Sequence, residues 1–180
     1  DTEKDNYKIL DSDWNISNPE GYAIWFESKM KTNQRILLME KAQVDKLPTF
    51  NQKTVLQRCI QLLKRHRDIM FKDNEDSKPI SVIITTLSTH AYNGEADLAS
   101  ALKIILRDMD NFISNTMPRV SNPTRPEEDF ADKWYLPSHK HLKLEENFKQ
   151  WLMMARRDFS SIIGNDDGNF DSVFVSEKMS

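Results

Sequence analysis

The stretch Lys78-Pro79-Ile80-Ser81-Val82-Ile83-Ile84-Thr85-Thr86-Leu87 decides the fold. Its density of β-branched residues reads as a strand by intrinsic preference. Its length and the opening Pro79 fit a buried helix as well, and periodicity cannot arbitrate so short a run. A strand here would bring a sheet into the domain; a helix would leave it all-α.

The flanks read as helices. Upstream, Asn18-Pro19 is a start signal, with Asn18 or Ser17 able to cap and Pro19 suited to the first helical position. Tyr22, Trp25, Phe26 and Met30 follow at helical spacing, predicting a helix over about 19–44, which Leu47-Pro48 ends. A second helix is predicted over about 51–71, with Val55, Leu56, Cys59, Ile60, Leu62, Leu63, Ile69 and Met70 apolar. The cluster Lys64-Arg65-His66-Arg67 interrupts that pattern. Residues 72–78 read as a solvated loop.

Downstream, Gly94 marks a boundary. Ala96 to Met117 carries Leu98, Leu102, Ile105, Met109 and Ile113 at spacings of three and four, which predicts an amphipathic helix. Pro118, Pro123 and Pro126 make 118–126 an extended connector. A last helix over about 139–163 points Leu142, Phe148, Leu152, Ala155 and Phe159 inward. The tail from Gly164 reads as loose, and there are no internal repeats.

Composition narrows the function classes. A chain of 180 residues suggests one domain, and 38% hydrophobic with 29% charged residues fits a polar globular one. The net charge of −3 gives no bulk attraction to nucleic acid, so any basic site is local. The single cysteine, Cys59, excludes an internal disulfide and a multi-thiolate zinc site. No apolar run approaches the roughly 18 residues of a membrane span, and no signal-peptide pattern opens the chain. A cytoplasmic location without membrane association is the expectation. The polar, acidic start, Asp1 to Lys8, reads as a continuation from something upstream. Only 4 glycines argue against an all-β fold and against a phosphate loop.

Carboxylate pairs are the first candidates for chemistry. Asp11-Ser12-Asp13 has the pattern that binds magnesium for phosphoryl transfer. Only ten residues precede it, none of them glycine, and it reads more simply as a polar segment before a helix. Asp108-Met109-Asp110 falls inside a predicted helix, where the two side chains diverge by about 200°. Asp166-Asp167 reads as a turn. His139 and His141 do not share a helical face, which argues against a metal site, and Cys59 reads as core. The basic cluster is more informative. Four adjacent basic residues fan over more than half of a helix, so one or two lie beside the packed side. A lysine there reaches a phosphate as a point charge, and an arginine grips it in two places.

Three segments together carry a resemblance. They are Leu62-Leu63-Lys64-Arg65-His66-Arg67-Asp68; the Lys78–Leu87 stretch followed by Ala91-Tyr92; and Asn122-Pro123-Thr124-Arg125-Pro126-Glu127-Glu128-Asp129-Phe130-Ala131-Asp132-Lys133-Trp134. In order and spacing they resemble the C-terminal region of bacterial nucleotidyltransferases of the cyclic GMP-AMP synthase and oligoadenylate synthetase type. The opening Trp14-x-x-Ser17-Asn18-Pro19-x-Gly21-Tyr22-x-x-Trp25-Phe26 is similar to that family's segment after its catalytic core. The likeness covers roughly residues 10–160.

The resemblance implies an all-α bundle of about five helices, the substrate-binding lobe of an enzyme whose α/β catalytic core is not in this chain. It implies a helical Ser81–Tyr92 region. It implies joining of nucleoside triphosphates into cyclic di- or trinucleotides for anti-phage signalling. Residues 1–17 would then be a linker from the core, 18–163 the nucleotide-binding domain and 164–180 a flexible tail. Lys64 and Ser81 resemble the lysine and serine that contact the donor triphosphate, with Arg67 beside them. Asn122, Asp129, Phe130 and Trp134 fall in a segment lining the cleft rim and docking on the core. The family's common form has Asn where this chain has Asp129, and a carboxylate cannot donate a hydrogen bond as an amide does. Mg2+ or Mn2+ would belong to the absent core, since no Gly-Ser loop or acidic triad is present, and this chain alone is expected to be inactive. The implied partners are nucleoside triphosphates and the chain's own upstream core. The alternative is a non-catalytic helical module that docks a protein.

Overall fold

The structure is a computed structural model, and it describes residues 18–40 and 53–163. The deciding stretch is helical, and the domain is an all-α bundle with one very small hairpin. The α-helices are α1 (Pro19–Glu40), α2 (Val55–Met70), α3 (Ser81–Ala91), α4 (Leu98–Asp108) and α5 (Leu144–Ile163). Short 3-10 turns lie at Glu75–Ser77, Met109–Phe112, Asp132–Trp134 and Pro137–Leu142. Asp11-Ser12-Asp13, Asp166-Asp167, the 1–17 linker and the 164–180 tail lie outside the described residues.

Helix starts follow the local chemistry. Asn18 caps α1, its Oδ1 accepting from Gly21 N–H at 2.8 Å. Gly21 leaves room for that cap, since a Cβ there would collide with the Asn18 amide. Thr54 and Gln57 form a reciprocal capping box on α2, with Gln57 N–H donating to Thr54 Oγ1 and Thr54 N–H to Gln57 Oε1. Asp97 caps α4 by accepting from Ser100 N–H at 2.8 Å.

Strand preference in Val82–Thr86 is overridden by burial. Ile83, Ile84, Leu87 and Ala91 lie at helical spacing and are all buried. They meet Leu56, Cys59 and Leu63 of α2, Ala101, Leu102 and Ile105 of α4, and Phe148, Trp151 and Ala155 of α5 in one core. Burying each Leu or Ile fully is worth about 1.5–3 kcal/mol, against a propensity difference of a few tenths per residue. The hydroxyls of Thr85 and Thr89 bond back to Ser81 and Thr85 carbonyls, which lets threonines sit inside the helix.

Three sequence boundaries are corrected. The helix expected to reach Met117 ends at Asp108, followed by a 3-10 turn. Aspartates at its end oppose the helix dipole. Arg156 of α5 closes it instead, donating to the Leu106 and Arg107 carbonyls. The expected 118–126 connector contains an antiparallel hairpin, β1 (Ser121–Asn122) and β2 (Arg125–Asp129). Pro126 fits because so short a hairpin leaves most of its N–H groups out of a ladder. The last helix begins at Leu144, because Lys143 adopts a left-handed conformation at φ 50° and separates it from the Pro137–Leu142 turn. Leu142 is correspondingly only half-buried, while Phe148, Leu152, Ala155 and Phe159 are core.

Candidate functional site

The four-residue basic cluster on α2 divides by helical geometry. Leu56, Cys59, Ile60 and Leu63 form the buried stripe, and Arg67 continues it one turn on. Arg67 is only 5% exposed, which is rare for arginine without full pairing. Its Nη1 donates to the Pro79 carbonyl and to Ser81 Oγ, both at 2.9 Å. Its Nε and Nη2 donate to Asp68 Oδ1 at 3.0 and 2.7 Å. Arg67 thus ties the end of α2 to the start of α3. Arg65 faces solvent. His66 turns toward α5, with Nε2 3.1 Å from Asp158 Oδ2 and its ring against Phe159.

Lys64 is half-buried, one turn before Arg67. Burial pushes its amine below the ordinary lysine range, the nearby Arg67 charge pushes it further, and Asp68 opposes both. Among the described residues no carboxylate forms an ion pair with it. Lys78, quoted in the sequence motif without a role, lies 3.8 Å from Asp68 Oδ1 and 3.3 Å from Glu75 Oε2. Its Glu75 partner is a local i,i+3 neighbour, while Asp68 comes from α2.

Ser81 is the first residue of α3 and is exposed. The residue before it, Ile80, is extended at φ −73° and ψ 148° and offers no side-chain cap. The first helical bond is Ile84 N–H to the Ile80 carbonyl. The N–H groups of Ser81, Val82 and Ile83 therefore find no acceptor among the described residues. An uncapped helix start carries partial positive charge and donors that suit an anion. Arg67 is bonded to Ser81 and its charge acts on Lys64. Sequence periodicity held the signal for Arg67's burial, since it stands four residues after Leu63 and eight after Cys59.

The Asn122–Trp134 segment is organised internally. Asn122 is 3% exposed. Its Oδ1 accepts from Thr124 N–H and Oγ1, and its Nδ2 donates to Glu128 Oε2 at 2.7 Å, which closes the hairpin turn. Asp129 accepts from the N–H groups of Arg119, Val120 and Ala131 at 2.7, 2.9 and 2.8 Å, and from the Tyr135 hydroxyl at 3.1 Å. Partial burial raises its carboxyl, but those four donors outweigh it and hold the group below the usual carboxylate range. All four lone-pair positions are filled by the loop itself. Phe130 meets the edge of Tyr22 at 6.0 Å, and Trp134 packs on Phe148 at 5.5 Å with Arg119 over its ring.

Two concavities lie elsewhere, over α4 and α5, lined in part by Arg107, Asp110, Arg119 and Arg156. Their arginines are engaged, Arg156 with Asp110 at 2.6 Å and Arg119 with Glu145 at 2.9 Å. Cys59 is buried and its thiol is pushed up to about 12, chiefly by burial, so it is no nucleophile. Among the described residues no group of three His, Cys, Asp or Glu side chains is arranged to hold a metal ion. No helix among them is long and apolar enough to cross a membrane.

No protein-family model matches the chain. It is similar to a c-di-GMP synthase of Roseivirga ehrenbergii, at 31% identity over 128 residues, covering 67% of this chain and 34% of that protein. The chain therefore spans about a third of the length of the relative it matches.

Proposed function

We propose, from the relation to that c-di-GMP synthase, that this chain is the triphosphate-gripping lobe of a nucleotidyltransferase that joins nucleoside triphosphates into cyclic dinucleotides. The observation that carries the proposal is the group at the head of α3: Ser81 on an uncapped helix start, Arg67 bonded to it, and Lys64 one turn back. Lys64 supplies a point charge to the phosphates. Ser81 and the free N–H groups of α3 supply directed donors. Arg67 and Lys78 are paired with Asp68 and Glu75, which leaves Lys64 as the cation of this group without a carboxylate partner among the described residues.

Catalysis would come from an α/β core outside the 180 residues, which would hold the Mg2+ or Mn2+. Membership of the cyclic GMP-AMP synthase and oligoadenylate synthetase type, synthesis of trinucleotides and a role in anti-phage signalling belong to this same reading. The Asn122–Trp134 segment, with Phe130 and Trp134 anchored inward, would form the rim that docks on the core.

The test is titration of the purified protein with a nucleoside triphosphate and with inorganic tripolyphosphate. Lys64→Ala should weaken both by about tenfold or more, as expected for loss of a partly desolvated charge contact. Equal affinity in Lys64→Ala and the unmodified protein would refute the proposal.

A further inference from the structure

Arg67 looks at first like a second phosphate ligand. Its geometry says otherwise. Four of its five N–H groups are committed, two to Asp68 Oδ1, one to the Pro79 carbonyl and one to Ser81 Oγ. Its side chain is 6% exposed. A guanidinium so placed has one free N–H and almost no surface to offer an incoming anion.

Its effect on Ser81 is more specific. Arginine only donates, so in the Arg67–Ser81 bond the serine oxygen must accept. A hydroxyl has one hydrogen to give. With one lone pair of its oxygen held by Arg67, the hydrogen is turned away from the guanidinium, and no acceptor among the described residues takes it. Ser81 is exposed, at the head of a helix whose first N–H groups are also unmatched. A free serine hydroxyl can serve a donor or an acceptor equally. This one is biased toward ligands that only accept, and fully ionised phosphate oxygens are of that kind.

We infer that Arg67 is a positioning residue which, by taking one lone pair of the Ser81 oxygen, orients the Ser81 hydroxyl to donate to a phosphate oxygen without touching the phosphate itself. The inference rests on the proposed phosphate-binding role of this face. It adds that the direction of the Ser81 donor is set from beneath, by a buried arginine on the neighbouring helix. Asp68 serves the same arrangement. By accepting from Nε and Nη2 it fixes the guanidinium plane so that Nη1 points at the start of α3.

The test is a double-mutant cycle read with inorganic tripolyphosphate. Ser81→Ala removes the donor, and Arg67→Lys keeps the charge but loses the planar fork. Each single change should weaken binding by about tenfold, the scale of one hydrogen bond to a charged group. The double variant should be no weaker than either single one, because Arg67 acts only through Ser81. Additive losses, near a hundredfold, would mean that Arg67 contacts the anion and would overturn the inference alone. No binding of tripolyphosphate by the unmodified protein would instead overturn the underlying reading of the face. Since Arg67→Lys disturbs a buried group, a second measurement uses the unmodified protein. The Arg67 side-chain N–H resonances should keep their positions on saturation with tripolyphosphate while the Ser81 amide shifts. A new downfield Arg67 N–H signal would mark direct contact and refute the inference.

Discussion

Asp129→Asn is a one-atom change with a calculable cost. The carboxylate receives Val120 and Ala131 N–H on Oδ1, and Arg119 N–H and the Tyr135 hydroxyl on Oδ2. An amide keeps one oxygen. With that oxygen in the Oδ1 position, its NH2 faces the Arg119 N–H, donor against donor. The Tyr135 hydroxyl can turn and accept, but the Arg119 N–H cannot. Losing a hydrogen bond to a charged group costs about 1.5–3 kcal/mol. Asp129 is only partly buried, so water screens some of this, and we expect about 2 kcal/mol at pH 7. Urea unfolding followed by circular dichroism should show a midpoint lower by about 1 M, for a slope of about 2 kcal/mol per molar. The pH dependence checks the cause. The folded carboxyl titrates below its ordinary value near about 3.9. Its stabilisation is therefore fully present above that value and is lost as pH falls through the folded one. The deficit of Asp129→Asn should hold from pH 8 to about pH 5 and shrink below about pH 4. A deficit under about 0.5 kcal/mol at pH 7, or one that stays constant into acid, would refute this account of the loop.

Two further outcomes are expected. Thr54→Ala removes the reciprocal cap that starts α2, and should cost about 1 kcal/mol in urea unfolding without changing tripolyphosphate affinity by more than about twofold. Lys64 has an amine depressed first by burial and then by Arg67. A bound phosphate favours its charged form and raises it again, so binding at about pH 9, where phosphate is fully ionised, should take up protons. Calorimetry in buffers of different ionisation enthalpy measures that uptake. Proton release, or an uptake unchanged in Lys64→Ala, would contradict the assignment.

The fold was legible where one periodicity ran long enough to decide. The α2 stripe and the Leu98–Met109 run announced themselves, and Asn18-Pro19 marked its helix start to the residue. The misread end of α4 has a cause far along the chain. α4 stops at Asp108 because Arg156, nearly fifty residues on, takes its last carbonyls. The aspartates at 108 and 110 disfavour continuation, but nothing near them points to Arg156. The hairpin inside the proline-rich connector is fixed by Asn122 reaching Glu128, and by Asp129 reaching back to Arg119 and Val120. Those contacts cannot be inferred from a local pattern of prolines.

The candidate site shows the same division more sharply. Lys64, Arg67 and Ser81, with a phosphate-contact role for Lys64 and Ser81, came from the resemblance, and how their side chains divide was not legible in it. A run of four basic residues reads as one charged patch. In the structure it sends Arg65 to solvent, His66 to Asp158, Arg67 inward to α3, and leaves Lys64 as the half-buried cation without an ion-pair partner among the described residues. The 100° step between helical residues makes such a split unavoidable; the Cys59–Leu63 spacing marks Arg67 as the inward one, and the packing of α3 against α2 supplies its partners. The arginine that carries the most hydrogen bonds is for that reason the one least able to meet a ligand. On the proposed reading, contact passes to a shorter side chain, Ser81, to which Arg67 is bonded. A buried charge of this kind adds little net stability, since its desolvation cost offsets much of what its bonds return. Its worth lies in fixing one orientation of the α3 start relative to α2. The Arg67 and Ser81 variants should accordingly separate affinity for the anion from the unfolding free energy.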